Sequence, residues 1–132
     1  MKIKLANVFV DDQAKALKFY TEILGFVKKQ DITMGQYRWL TVVSSEEPDG
    51  AQLLLEPNAN PAAKAYQKAI YEQGISAVLF FVDDIQKEYE RLKNLKVAFK
   101  TPPTKTPGST YAVLDDTCGN LVQIVQLANP KG

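Results

Sequence analysis

The chain has 132 residues, of which 45% are hydrophobic and 23% charged, and its 16 basic and 15 acidic residues leave a net charge of +1. This balance excludes the strongly cationic surface that nucleic acids and anionic membranes attract. The single cysteine excludes an intramolecular disulfide framework, and no apolar stretch is long enough to span a membrane. We therefore expect a cytoplasmic protein with one domain over residues 1–132, and neither nucleic acid nor membrane as a partner.

The first half of the chain predicts a strand, a helix and three further strands. The carboxylates of Asp11 and Asp12 suit the N-terminus of a helix, and Gly25 suits its C-terminal end. Alternation of apolar residues and the positions of Pro and Gly set the other boundaries. The predicted elements are a strand at 2–10, a helix at about 13–24, and strands at 26–33, 37–44 and 51–56.

The second half repeats this order after a connecting helix at about 61–73. Phe81-Val82-Asp83-Asp84 repeats Phe9-Val10-Asp11-Asp12 at a constant offset of 83 − 11 = 72. The elements predicted after this motif are a helix at 85–95, a short strand at 97–100, and strands at 110–114 and 121–127. An internal repeat of this kind indicates duplication, here of a βαβββ module at about 1–57 and again at about 75–127.

The segment Thr101–Ser109 is predicted to be a long loop because it contains Pro102, Pro103, Pro107 and Gly108. Loops of this length often cover binding sites. A lid and an ordinary surface connection remain equal alternatives, because no residue in the segment distinguishes them.

Several short motifs carry a resemblance to a known family. They are Val10-Asp11-Asp12, Phe19-Tyr20 and Leu24-Gly25-Phe26 in the first half, and Val82-Asp83-Asp84 and Asp116-Thr117-Cys118-Gly119-Asn120 in the second. The chain resembles the vicinal oxygen chelate superfamily, which includes glyoxalase I, bleomycin-resistance proteins, fosfomycin-resistance enzymes and extradiol dioxygenases. The resemblance implies an α+β fold in which two βαβββ modules form a cup-shaped, partly open eight-stranded mixed sheet. It also implies a homodimer, but no single activity, since many chemistries share this scaffold.

The resemblance places the metal ligands of the family's metalloenzymes at Leu5, Glu56, Ala77 and Gln123 of this chain. Two of these side chains are apolar, and the chain contains no histidine. Histidine is the commonest ligand for zinc and is typical of non-haem iron sites. We therefore expect no transition metal and no other cofactor.

Strand alternation and the resemblance together predict which side chains line the cup. For the strand at 37–44 the phase stays open, since either Tyr37, Trp39 and Thr41 or Arg38, Leu40 and Val42 face inward. Trp39 favours the first set, although it is equally well an ordinary core residue, whereas an inward Arg38 would suit an anionic ligand. The predicted ligand-binding residues are Asn7, Phe9, Trp39, Gln52, Leu54, Glu56, Phe81, Tyr111 and Gln123.

Glu56 is the one candidate catalytic residue. It follows the apolar run Leu53-Leu54-Leu55, so its carboxylate would lie at the mouth of an apolar cup and could act as a general base. The alternative is a solvated strand end beside Pro57.

Three classes of function remain. The first and favoured one is a metal-free module that binds a small, partly apolar molecule in the cup. The second is an enzyme of the glyoxalase (lyase) or dioxygenase type that recruits a metal through Glu56 and Gln123 or works without one. The third is a partner-binding or regulatory subunit with an exposed apolar dimer face.

Overall fold

The computed structural model describes residues 1–128, so the last residues of the predicted domain, 129–132, lie outside the described part. Its first half contains β1 (Leu5–Val10), α1 (Gln13–Lys18) followed by a π-helical turn (Phe19–Ile23), β2 (Val27–Met34), β3 (Tyr37–Val43) and β4 (Gln52–Pro57). Next come α2 (Pro61–Glu72), β5 (Val78–Phe81), α3 (Ile85–Asn94), β6 (Phe99–Thr106), β7 (Ser109–Asp115) and β8 (Leu121–Leu127). The predicted repeat of strand, helix and three strands is confirmed in both halves.

The eight strands form two mixed four-stranded sheets, in the orders β1-β4-β3-β2 and β5-β8-β7-β6. In each sheet the first strand lies parallel to the last strand of the same half, and the other neighbours are antiparallel. The α+β class is confirmed, with the eight strands divided between two open sheets.

The repeated Asp-Asp motif starts a helix in each half. The Asp12 carboxylate accepts a hydrogen bond from the Lys15 backbone N–H at 3.0 Å, and Asp84 accepts one from Lys87 at 3.1 Å. Both side chains therefore satisfy N–H groups that the first helical turn leaves unpaired. The first helix ends in a wider turn, where Leu24 N–H donates to the Phe19 carbonyl at 3.0 Å.

One hydrophobic core is shared by both sheets and the helices. Each sheet contributes one face, whose members include Val10, Leu40 and Leu55 in the first sheet and Leu114 and Val122 in the second. A fully buried side chain of this size stabilises a fold by about 1.5–3 kcal/mol, so this shared core is the main source of stability. The opposite face of each sheet is partly exposed, although Thr41 and Leu54 on the first sheet are buried. None of the helices within residues 1–128 has the length and apolar character needed to cross a bilayer.

The prediction of a long loop at Thr101–Ser109 is wrong, as is that of a short strand at 97–100. β6 continues to Thr106 and pairs with β7, and the chain reverses at Pro107-Gly108, where Gly108 has φ +85°. Pro102 and Pro103 lie where the register of this pairing shifts. Because β6 is the edge strand, prolines that lack an N–H are tolerated there. This segment is therefore part of the sheet, which removes the basis for a lid.

Candidate functional site

The structure settles the phase of β3. Leu40 and Val42 belong to the shared core, so Trp39 and Thr41 lie on the open face. Arg38 lies two residues before Leu40 and therefore on the same face of β3. Asp31 holds its guanidinium through hydrogen bonds of 3.0 and 2.7 Å. This guanidinium lowers the pKa of Asp31 to about 2. The alternative of an inward Arg38 that grips an anionic ligand is therefore wrong.

Cross-strand pairing defines the open face of the first sheet. Leu54 lies opposite both Asn7 on β1 and Thr41 on β3, and Glu56 lies opposite Phe9. Residues that pair across neighbouring strands share a face. We call the following set the first open face: Leu5, Asn7, Phe9, Gln30, Ile32, Met34, Tyr37, Trp39, Thr41, Gln52, Leu54 and Glu56. Six predicted ligand-binding residues lie together on it, namely Asn7, Phe9, Trp39, Gln52, Leu54 and Glu56.

The remaining three predicted residues lie on the corresponding face of the second sheet, which we call the second open face. Phe81 and Tyr111 both lie opposite Val125, so the three form one row across β5, β8 and β7. Gln123 lies in the next row, opposite Leu79 and Val113. The structure thus groups the nine predicted residues as six on one sheet and three on the other.

Both open faces expose large apolar side chains. Ile32 and Met34 are 53% and 60% exposed on the first face, and Phe81 is 65% exposed on the second. Single exposed apolar residues are common, but several on one face indicate an interaction surface or a ligand-binding groove.

Glu56 is joined to Asn7 on the first open face. The Asn7 side-chain amide donates to Glu56 Oε1 at 2.9 Å. No other hydrogen bond to this carboxylate occurs within residues 1–128, so Oε2 remains available to accept one. This geometry suits either contact with a ligand donor or acceptance of a proton.

A second polar group on this face contains one residue, Gln30, that the sequence analysis did not place in the site. Gln52 Oε1 accepts hydrogen bonds from Gln30 Nε2 at 2.6 Å and from the Thr41 hydroxyl at 2.7 Å. We call these three residues the amide cluster. The pairing of β2 with β3 shifts register between Lys28 and Gln30, which breaks the simple alternation that would have placed Gln30 on this face.

The residues at the family's metal-ligand positions do not fit a transition metal. Leu5 and Ala77 offer no donor atom, so Glu56 is the one charged donor among the four positions. Gln123 lies on the other sheet and offers only a neutral amide. Within residues 1–128, no three side chains of His, Cys, Asp or Glu cluster in a way that could hold a metal ion.

A fully buried polar network surrounds the turn before β8. Asp116 accepts hydrogen bonds from the Tyr20 hydroxyl at 2.7 Å, from the backbone N–H groups of Cys118 and Asn120, and from the Asn120 side chain. Burial raises the pKa of Asp116 and, together with the nearby Asp116 carboxylate, that of Tyr20. Cys118 is buried as well, and this burial raises the pKa of its thiol to about 12, which makes it inert as a nucleophile.

Asn7 and Phe9 also border a small cavity of about 160 Å³ beside α2, which Tyr66, Ile70 and Ala77 help to line. A cavity of roughly 150 Å³ holds a molecule of the size of benzene. A larger ligand would therefore not fit inside this cavity.

The chain matches the model of a known protein family and is similar in sequence to a bacterial protein. Residues 2–124 match the family model described as Glyoxalase/Bleomycin resistance protein/Dioxygenase superfamily. The chain is 60% identical over 126 residues to the uncharacterized protein YurT of Bacillus subtilis (strain 168), a match that covers 96% of this chain and 99% of that protein.

Two solved structures are similar over almost their whole length. The crystal structure of UcmS2 has a TM-score of 0.81 at 32% identity and covers 95% of this chain and 97% of its own. TnmS3, an antibiotic-binding protein from Streptomyces sp. CB03234, has a TM-score of 0.77 at 27% identity, and 97% of each chain is covered.

Proposed function

The chain belongs to the Glyoxalase/Bleomycin resistance protein/Dioxygenase superfamily, and from this premise we propose that it binds a small, partly apolar molecule on its open faces without a transition metal or other cofactor. The observation that carries the proposal is the first open face. There, Trp39 and Leu54 lie on the same surface as the Asn7–Glu56 pair and the amide cluster. Ligand sites typically combine apolar lining with a few positioned polar groups.

The antibiotic-binding relative supports this proposal. TnmS3 shares the fold over 97% of both chains and is an antibiotic-binding protein. The donor set supports it too, because two of the four metal-ligand positions are apolar here. The proposed compartment is the cytoplasm, in keeping with a single cysteine that stays a free, buried thiol.

We further propose a homodimer in which a second copy lies over the open faces and the ligand is held between the two copies. Exposed apolar side chains such as Met34 and Phe81 would then be buried, and a two-fold axis would cover the same surfaces on both copies. Sedimentation velocity of the wild-type chain is expected to give the mass of a dimer. Phe81→Asp should shift it toward the monomer, whereas Asp83→Asn, a change at a neighbouring exposed position, should not. A monomeric wild type would refute this part of the proposal.

The alternative is an enzyme of the glyoxalase (lyase) or dioxygenase type. It is favoured by one observation, the unoccupied Oε2 of Glu56 beside an apolar surface, where a general base could act. Such an enzyme would work through Glu56 alone or with a metal recruited by Glu56 and Gln123.

Thermal unfolding of the chelator-stripped protein separates the two functions. A ligand that binds only the native state at about 100 times its Kd adds about 2.7 kcal/mol of stability. In a domain of this size, such a gain raises Tm by roughly 3–6 °C. We expect no shift with excess zinc, nickel, manganese or ferrous iron. A shift with one metal that disappears in Glu56→Ala would overturn the metal-free proposal and favour the enzyme.

A further inference from the structure

We propose that the amide cluster selects a neutral ligand that carries a carbonyl oxygen, with the Gln52 side-chain N–H groups as the donors. This inference rests on the proposed function, because it concerns what the first open face binds. It adds the chemical class of the ligand and the residue that recognises it.

Hydrogen bonding fixes which end of the Gln52 amide is available. The Gln30 backbone N–H donates to Thr41 Oγ1 at 3.1 Å, so the Thr41 hydroxyl is free to donate its own hydrogen to Gln52 Oε1. Gln30 Nε2 donates to the same oxygen at 2.6 Å. Both lone pairs of Gln52 Oε1 are therefore used.

The other end of the same amide has no partner within residues 1–128. The Gln52 side chain is half-buried, and its Nε2 carries two N–H donors and makes no hydrogen bond there. Because two bonds already hold Oε1, the amide loses little further freedom when its N–H groups meet a ligand, and such preorganisation favours binding. The unused hydrogen-bonding atoms of Gln52 are donors, so the complementary ligand atom is an acceptor.

The charges of the first open face decide which kind of acceptor fits. Its members include no lysine or arginine, and Glu56 is its one charged side chain. Glu56 follows Gln52 by four residues on β4, which is a separation of about 13 Å along a strand. At that distance the repulsion from Glu56 is weak, so the loss of hydration decides the preference. A carboxylate or phosphate would lose its hydration without gaining an opposite charge on this face. A ketone, amide or similar neutral carbonyl carries no net charge and avoids this cost.

The apolar neighbours of Gln52 describe the rest of the ligand. Leu5 lies opposite Gln52 on β1, and Leu54 is the next residue on the same face of β4. Trp39 precedes Thr41 on the same face of β3. A flat aromatic body that bears the carbonyl would contact these side chains while its oxygen meets the amide.

Three matched probes test this class by equilibrium dialysis against the wild-type protein. They are 9-fluorenone, which has the neutral carbonyl; fluorene, which has the same rings without it; and 9-fluorenone-4-carboxylate, which adds a negative charge. Apolar contact alone would favour fluorene, the least polar of the three. We expect 9-fluorenone to bind about fivefold more tightly than fluorene, as one net hydrogen bond allows, and the carboxylate to bind more weakly than 9-fluorenone.

Gln52→Glu isolates the donor. A carboxylate at this position still accepts from Gln30 and Thr41, but it replaces the N–H groups by a second acceptor oxygen. The preference for 9-fluorenone over fluorene should disappear in this variant. Gln36→Glu, in the exposed turn between β2 and β3, adds the same charge elsewhere and should keep the preference.

The outcomes separate this inference from the proposed function. If fluorene binds the wild type as tightly as 9-fluorenone, or if the preference survives in Gln52→Glu, the amide cluster is not the selector, although the open face still binds small molecules. Tightest binding of the carboxylate would also overturn the inference. Binding of none of the three probes would contradict the proposed function and the inference with it. The wild-type comparison decides the matter even if the variant does not fold.

Discussion

Two groups of polar side chains differ in how their hydrogen-bonding atoms are used. Around the turn before β8, Asp116 accepts from Tyr20, Cys118 and Asn120. On the first open face, Gln52 Nε2 makes no hydrogen bond within residues 1–128, and the Glu56 carboxylate makes one, from Asn7 to Oε1. The turn network is buried and closed, whereas the open face is accessible and incompletely satisfied.

This difference separates residues that hold the fold from residues available to a ligand. Asn120 Nδ2 also donates to the Phe9 carbonyl at 2.7 Å, so the network ties the second half of the chain to β1. Loss of a buried partner leaves a costly unpaired group, whereas loss of an exposed one does not. Mutations in the two regions should therefore affect different measurements.

The largest effect is expected from Asp116→Ala. The change leaves the Tyr20 hydroxyl, one side-chain N–H of Asn120 and two backbone N–H groups without their acceptor in the interior. Since each buried unpaired donor costs about 1–3 kcal/mol and partial relaxation is expected, urea unfolding should show a loss of about 4 kcal/mol. Asp83→Ala, at an exposed position, should change the unfolding free energy by less than about 0.5 kcal/mol. A similar small change in both variants would show that the network does not hold the fold.

Gly119→Ala should come second. Gly119 has φ +99°, and a Cβ there would lie 2.7 Å from Gln67 Nε2, which donates to the Phe9 carbonyl at 2.9 Å. Strain at positive φ together with displacement of Gln67 should cost about 2–3 kcal/mol.

Gly108→Ala is the matched control for this prediction. Gly108 also has a positive φ, +85°, but a Cβ there meets nothing within 4 Å. Its loss of stability should be about 1 kcal/mol, from the backbone alone. Equal losses in the two variants would show that the close approach of Gln67 contributes nothing.

Glu56→Gln should weaken ligand binding and leave the stability almost unchanged, which is the opposite of the effect expected for Asp116→Ala. The glutamine can still accept from Asn7, so the unfolding free energy should change by less than about 0.5 kcal/mol. If Glu56 contacts the ligand directly, the affinity for a ligand identified by screening should fall more than tenfold, which corresponds to about 1.4 kcal/mol. Unchanged affinity in dialysis would exclude Glu56 from the binding site.

The smallest effect concerns the exposed pair of Asp31 and Arg38. Because Arg38 lowers the folded-state pKa of Asp31 to about 2, below its unfolded value, this group stabilises the fold above pH ~4 and loses that contribution as the pH falls towards 2. The stability difference between wild type and Asp31→Asn should therefore shrink over that interval in urea titrations at several pH values. A difference that grows on acidification would contradict the assigned partner.

The sequence was sufficient for the fold wherever a repeating pattern set the structure. Alternation placed Asn7 and Glu56 on a common face because β1 and β4 are regular strands. It failed for Gln30, where the register shifts in β2, and for β6, where two prolines are tolerated on an edge strand. The role of Asp116 was also beyond a local pattern, because its partner Tyr20 is 96 residues away in the chain.

Ligand binding on the first open face is tested most directly by a ¹⁵N-edited NMR titration of the wild-type protein with 9-fluorenone. The side-chain N–H signals of Trp39, the single tryptophan, and of Gln52 report on the first open face, and those of Asn120 report on the buried network. We expect the Trp39 and Gln52 signals to shift with a common saturation curve while the Asn120 signals stay in place. Shifts concentrated at Asn120, with Trp39 and Gln52 unmoved, would contradict this expectation.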